Sequence, residues 1–256
     1  MNPPALDAII LAGGQTPPEL EAALGQGERA LIQFNNQSLV ARMIETLRAT
    51  RGVGRVIVVG HRATLDAARK MDERVVEVEA RALLSQNVLA GLGAAQTPRA
   101  LVVTCDIPLT QPSTFEELLD AFHERKLDSA YPIVERATME KAFPGGRRTY
   151  AKCREGVFTG GNAFVLPTSD LDGLEAIIER AFRSRKNPLA VAKLLSFRIL
   201  VRALAGTVSL RELERRFSAI LGCRCGGVIM QDATVAFDID KLDDLQTAQQ
   251  KLKELP

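Results

Sequence analysis

Leu6-Asp7-Ala8-Ile9-Ile10-Leu11-Ala12-Gly13-Gly14 is an apolar run that stops in paired glycines. Its length and its isoleucine pair read as a strand buried on both faces. A strand ending in glycines brings backbone N–H groups together with no Cβ in the way, which is what a polyphosphate requires. Similar runs follow at 54–60 and 100–106, with a weaker one at 74–79 that carries Val75, Val76 and Val78. Between them, 38–50, 62–71 and 86–96 have apolar residues at three-to-four spacing and read as helices. Ser113 followed by Glu116 reads as a capping box for a helix ending near residue 125. This alternation predicts an α/β fold, a doubly wound, mostly parallel, Rossmann-like sheet.

The C-terminal half is less regular. Residues 128–134, 157–166 and 233–239 read as strands, 144–149 as a loop and 241–254 as a final helix. A long helical stretch at 170–221 is broken near Asn187-Pro188 and Gly206. Strand-like sequence returns after it, so it reads as a helical insertion within a single domain covering 1–256.

The chain has 256 residues, 46% hydrophobic and 25% charged, ordinary values for a soluble globular protein. A net charge of +2 argues against a general polyanion binder, and the absence of Trp argues against stacking on single-stranded nucleic acid. Cys105, Cys153, Cys223 and Cys225 are too few and too scattered for a disulfide framework and read as reduced thiols. The Cys223-Arg224-Cys225 spacing is too short for a zinc knuckle, and with only His61 and His123 a His-rich metal site is excluded. The run at 8–12 is too short for a signal peptide and has no basic stretch before it. No stretch approaches about 18 apolar residues. A bacterial-type cytoplasmic enzyme is the expectation.

Five constellations carry candidate chemistry. The first is the turn Leu11-Ala12-Gly13-Gly14-Gln15, followed by a long polar segment to Arg29, whose cation is placed to offset phosphate charge. The second is Asp106 at the end of a buried strand, where open α/β sheets bind ligands; it suits Mg²⁺. The third is Phe237-Asp238-Ile239-Asp240, whose two carboxylates share one face of an extended chain. Asp240 has the alternative of capping the last helix, and Asp238 has none, which makes Asp238 the better metal ligand. The fourth is Thr159-Gly160-Gly161-Asn162, read equally as a structural bulge or as the approach of an acceptor to Gly161 and Asn162. The fifth is Ser85-Gln86-Asn87, either a helix cap or the donors and acceptors that read a nucleobase.

Taken in order, Leu11-Ala12-Gly13-Gly14, Arg29-Ala30-Leu31, Asp106-Ile107-Pro108, Gly161-Asn162 and the closing Asp238-Ile239-Asp240 resemble the MobA-like NTP transferase family, within the nucleotide-diphospho-sugar transferase fold. The resemblance runs over roughly 6–166 and 226–254. It implies Mg²⁺-dependent transfer of a nucleoside monophosphate from an NTP to a phosphorylated acceptor, with release of pyrophosphate. The glycine turn would hold the triphosphate, and the segment after 74–79 would read the base. Asp106 and Asp238 would hold the metal, with Asp240 beside them. Two other readings were weighed: a catalytically degenerate, regulatory nucleotide binder, and a glycosyltransferase of similar topology.

Three departures stand out. Gln15-Thr16-Pro17-Pro18-Glu19 replaces the family's basic residue after the glycines, and Arg147 and Arg148 are the candidates to supply that charge. Arg29 stands where the family has lysine. The insertion has no counterpart in the minimal family fold. Residues 180–216 carry ten Lys or Arg against Glu212 and Glu214. They read as a solvated basic face over a packed apolar stripe, or more sharply as a peripheral contact with anionic lipid. The expected partners are an NTP and a small or lipid-linked phosphorylated acceptor, not nucleic acid.

Overall fold

The computed structural model describes residues 5–146, 148–169, 171, 202 and 206–254. Strand β1 (Leu6–Leu11) lies between β4 (Val53–Gly60) and β6 (Arg99–Thr104), parallel to both, and β5 (Val76–Glu79) extends the sheet beyond β4. Beyond β6 come β10 (Ala163–Pro167), β7 (Ser129–Glu135), β9 (Gly156–Gly160) and β8 (Ala151–Cys153), while β11 (Cys225–Met230) pairs in parallel with β7. Strands β9 and β10 run antiparallel to their neighbours, which makes the sheet mixed but mostly parallel.

Both faces of β1 are covered, as the apolar run from Ala8 to Leu11 predicts. Ala8 and Ile10 pack into one core with α2 (Leu39–Ala49) and α5 (Pro112–Glu124), whereas Ile9 and Leu11 pack into another with α4 (Leu84–Ala94). Helix α3 (Arg62–Met71) crosses between β4 and β5, α6 (Arg136–Ala142) follows β7, α7 (Leu210–Leu221) packs on β11, and α8 (Leu242–Glu254) closes the chain.

Several elements differ from the sequence reading. The polar segment after the glycines holds a short helix, α1 (Pro18–Leu24), begun by Pro18 and closed by Gly25 at φ 64°. A hairpin of β2 (Gln33–Phe34) and β3 (Gln37–Ser38) turns through Asn35 and Asn36 at φ 51° and 62°. Helix α5 starts at Pro112, and its capping bond is the Gln111 amide donating to Thr114 Oγ1 at 3.0 Å, so Ser113 is not the cap. The stretch 157–166 divides into β9 and β10 around Gly161-Asn162. No strand forms at 233–239: Asp232 caps a 3₁₀ turn at Ala233–Ala236, and the chain then runs on irregularly. Of the expected insertion at 170–221, Asp170, 172–201 and 203–205 lie outside the described residues, as does Arg147.

Candidate active site

The C-terminal ends of β1, β4, β5 and β6 meet on one side of the sheet, where open α/β sheets bind ligands. The glycine turn leaves β1 there. A Cβ on Gly13 would lie 2.6 Å from Ala80 Cβ and 3.2 Å from Asn87 Nδ2, so only glycine fits without a shift. A Cβ on Gly14 would meet nothing within 4 Å, which leaves its outer side open to a ligand. The segment beyond folds back as an antiparallel bridge, with Thr16 N donating to Gly27 O at 2.8 Å and Arg29 N to Gly14 O at 3.1 Å. That bridge delivers Arg29 to the rim of the glycine turn.

From there Arg29 Nη1 donates to Asp106 Oδ2 at 2.5 Å and reaches Asp240 Oδ1 at 3.2 Å. Burial disfavours the Arg29 charge, and the Asp106 carboxylate more than compensates, so the guanidinium is held even more firmly protonated than usual. Asp106 is buried, and its second oxygen, Oδ1, has no hydrogen-bond partner among the described residues. Ile239 N donates to Asp106 O at 2.9 Å, which pins the 237–240 segment beside the end of β6. Ile239 is buried, and Asp238 and Asp240 flank it. One carboxylate oxygen from each of Asp106, Asp238 and Asp240 lies within 4.8 Å of the others. Burial, then the neighbouring Asp238 charge, raises the Asp240 pKa, and Arg29 opposes that rise. The cap of α8 falls to Asp244, whose Oδ2 accepts from the amides of Asp240 and Lys241 at 3.1 and 2.9 Å.

Of the other sequence candidates, Asn87 meets the glycine turn and Asn162 the end of β6, while Gln86 lines a separate cleft. Asn87 is buried on α4 against Gly13, and its Oδ1 accepts from Arg81 N at 2.6 Å. Ser85 is buried, and Gln86 caps the Leu83 amide weakly at 3.4 Å while lining a cleft of about 570 Å³ with Val78, Arg81 and Leu89. Asn162 sits at the end of β6, its O accepting from Thr104 N at 3.1 Å and its N donating to Val235 O at 2.8 Å. A Cβ on Gly161 would press on Pro132 Cγ at 3.0 Å, and one on Gly160 would overlap Tyr131 Oη at 1.7 Å, so packing disfavours a side chain at both positions. The four cysteines are free thiols. Burial, with the Asp106 charge adding to it, raises the pKa of Cys105 and keeps that thiol protonated.

Arg148 does reach the centre: its Nη1 donates to Asp238 Oδ1, and its guanidinium lies over the Phe237 ring. A cleft of about 510 Å³ opens beside it, lined by Phe143, Tyr150, Phe237 and Lys241. Lys241 and Tyr150 were missed in the sequence, although Lys241 directly follows Asp240.

A glycine turn and an acidic cluster at the C-terminal strand ends of a mostly parallel sheet define a nucleotide-handling transferase of the nucleotide-diphospho-sugar transferase fold. A family model described as the MobA-like NTP transferase domain matches residues 8–217, and the chain belongs to that family of nucleotidyltransferases. The match runs on through residues 170–217 and stops before Asp238. A solved structure described as a hypothetical transferase from Thermus thermophilus is 32% identical with a TM-score of 0.80, the match covering 94% of this chain and 99% of that one. The 4-diphosphocytidyl-2C-methyl-D-erythritol synthase of Anaerococcus prevotii is similar in fold at 12% identity and TM-score 0.61, with 98% and 96% covered. A CMP:2-keto-3-deoxy-manno-octonic acid synthetase complexed with CTP is similar in fold at 13% identity and TM-score 0.63, with 98% and 100% covered. No curated protein sequence matches the chain. Among the described residues no helix is long and apolar enough to cross a membrane.

Proposed function

We propose that this nucleotidyltransferase moves a nucleoside monophosphate from an NTP to a phosphorylated acceptor, small or lipid-linked, in a Mg²⁺-dependent reaction that releases pyrophosphate. The observation that carries the reading is the convergence of Asp106, Asp238 and Asp240 with Arg29 beside the glycine turn. The unpartnered, buried Asp106 Oδ1 supports a hard cation, because a buried carboxylate oxygen without a partner is costly unless a ligand satisfies it. Asp106, Asp238 and Asp240 would hold Mg²⁺, which when bound offsets charge on the phosphate oxygens.

The chain's own residues then bind and orient. Leu11 and Ala12 lead into the turn, and the amides of Gly13, Gly14 and Gln15 take the triphosphate. Ser85, Gln86 and Asn87 face the base, while Gly161 and Asn162 face the acceptor. Arg29 draws charge from the phosphates. An acceptor phosphate oxygen attacks the α-phosphorus in line. The new P–O bond forms as the α–β bridging bond breaks, and the electron pair leaves on pyrophosphate, so no protein nucleophile is needed. The chain works as one domain over 1–256 with 170–221 inserted, in the cytoplasm and without nucleic acid. The basic segment 180–216 rests on an anionic lipid surface; equal partitioning onto neutral and anionic vesicles would refute that contact.

Thermal shift with CTP, GTP, UTP, ATP and dTTP, each with Mg²⁺, tests the central reading, because a ligand that binds only the folded state stabilises it by mass action. One base stands out, and pyrophosphate release with a panel of phosphorylated acceptors follows for that NTP. No stabilisation by any NTP refutes the function. Stabilisation with no pyrophosphate released for any acceptor favours the regulatory binder.

A further inference from the structure

The acidic cluster holds two guanidiniums, and they are held differently. Among the described residues, the ion pairs of Asp106, Asp238 and Asp240 are with Arg29 and Arg148, three carboxylates to two guanidiniums. A divalent ion among the same carboxylates reverses that balance and makes one guanidinium surplus. Arg29 is anchored: its amide is bonded to Gly14, it heads a 3₁₀ turn (Arg29–Leu31), and it bridges Asp106 and Asp240. Arg148 holds Asp238 alone. It sits on the connection between α6 and β8, just after Gly145 at φ 77°, where a Cβ would meet nothing within 4 Å. The Arg148 side chain already lines the 510 Å³ cleft with Lys241 and Tyr150, its guanidinium carbon 5.8 Å from the Phe237 ring centre.

We propose that Arg148 is an exchangeable counter-ion. It holds Asp238 until a divalent ion claims that carboxylate, then turns across Phe237 into the cleft and binds the phosphate of the acceptor. The Phe237 face keeps the cation in contact during the turn, and a guanidinium fork matches phosphate oxygens. The anion site for the acceptor is therefore complete only after the metal has loaded. This deepens the function proposed above and rests on its reading of the three carboxylates as metal ligands.

Calorimetric titration of the whole protein with Mn²⁺ alone, followed by inorganic phosphate, tests it. Arg148→Gln removes a competing charge from Asp238 and binds Mn²⁺ on the order of tenfold more tightly than the wild type. Arg148→Lys keeps that charge and stays near the wild-type affinity, which separates charge from any loss of folding. Asp238→Asn binds Mn²⁺ more weakly than either. Inorganic phosphate binds the wild type only once Mn²⁺ is present, and Arg148→Gln loses that binding. Equal or weaker Mn²⁺ affinity in Arg148→Gln overturns the proposal, as does phosphate binding that ignores Mn²⁺ or survives in Arg148→Gln. A wild type that binds no Mn²⁺ overturns the metal reading as well. Mn²⁺ binding lost in Asp238→Asn but not tightened in Arg148→Gln overturns the counter-ion alone.

Discussion

Gly13 and Gly14 are neighbours in sequence with separable roles. Gly13 is required by packing, since a methyl there strikes Ala80 and crowds Asn87. Gly13→Ala therefore lowers stability by about 1–3 kcal/mol, the usual cost of overpacking, and a urea melt without ligand shows it. Gly14→Ala meets no protein atom, so its melt stays near the wild type. Its methyl stands where a phosphate approaches, so the KM for NTP rises while folding is spared. A Gly14→Ala enzyme with unchanged KM would remove the triphosphate from this turn. Asp106→Asn removes charge from the one carboxylate that, among the described residues, is both buried and incompletely bonded. Turnover falls by at least ~100-fold, the scale of losing a principal electrostatic group, while the melting temperature stays within a few degrees. The residue types at this centre were legible, because an Asp ending a buried strand and an Asp-x-Asp have few other uses. Their meeting was not: Arg29 reaches Asp106 across 77 positions, through a backbone bridge that leaves no mark in composition.

The parallel strands were the most readable elements, since burial on both faces forces the apolar runs Ala8–Leu11, Val56–Val59 and Ala100–Val103 in β1, β4 and β6. Helix α1 went unread although its signals are present, with Pro18 in its first turn and Gly25 past its end. The 233–239 segment misled because Ala-Thr-Val-Ala-Phe has strand composition, while Asp232 accepting from Thr234 N at 2.9 Å turns the chain instead. Strand β11 was missed because Gly226-Gly227 hides its alternation; a Cβ on Gly226 would lie 2.6 Å from Leu127 Cδ1. Gly160→Ala forces the Tyr131 ring on β7 to swing off its stack with Phe164, which costs about 1–3 kcal/mol. Tyr131→Ala in the same chain opens the space and restores part of that loss. A double variant no more stable than Gly160→Ala alone would show that the Tyr131 ring is not what requires glycine there.

Across the whole molecule the sheet is polarised: the acidic centre and glycine turn occupy the C-terminal strand ends, and a second, structural ionic centre occupies the other. Asp7, 2% exposed, accepts from Arg55 Nη2 at 2.6 Å and from Gln96 N at 2.6 Å, while its own amide donates to Thr97 Oγ1 at 2.9 Å. It thereby ties β1 to β4 and to the connection before β6. Burial alone would raise the Asp7 pKa, but the bonds from Arg55 and the Gln96 amide outweigh it and hold the carboxyl below its usual range. A depressed folded-state pKa stabilises fully above the unfolded value, near 3.9, and that stabilisation is lost as pH falls through the folded value. Asp7→Asn leaves Arg55 without its buried partner and costs about 1–3 kcal/mol near neutral pH. Urea melts of wild type and Asp7→Asn, taken from pH 7 downward, show a gap that is constant to about pH 5 and narrows below it, because protonating Asp7 removes the same charge. NTP binding and turnover at neutral pH stay at wild-type values, since the acidic cluster proposed to act on the nucleotide lies at the far end of the same strands. A gap that held constant into strong acid would show that the carboxylate charge plays no part; a loss of turnover would show that the two ends of the sheet are not independent.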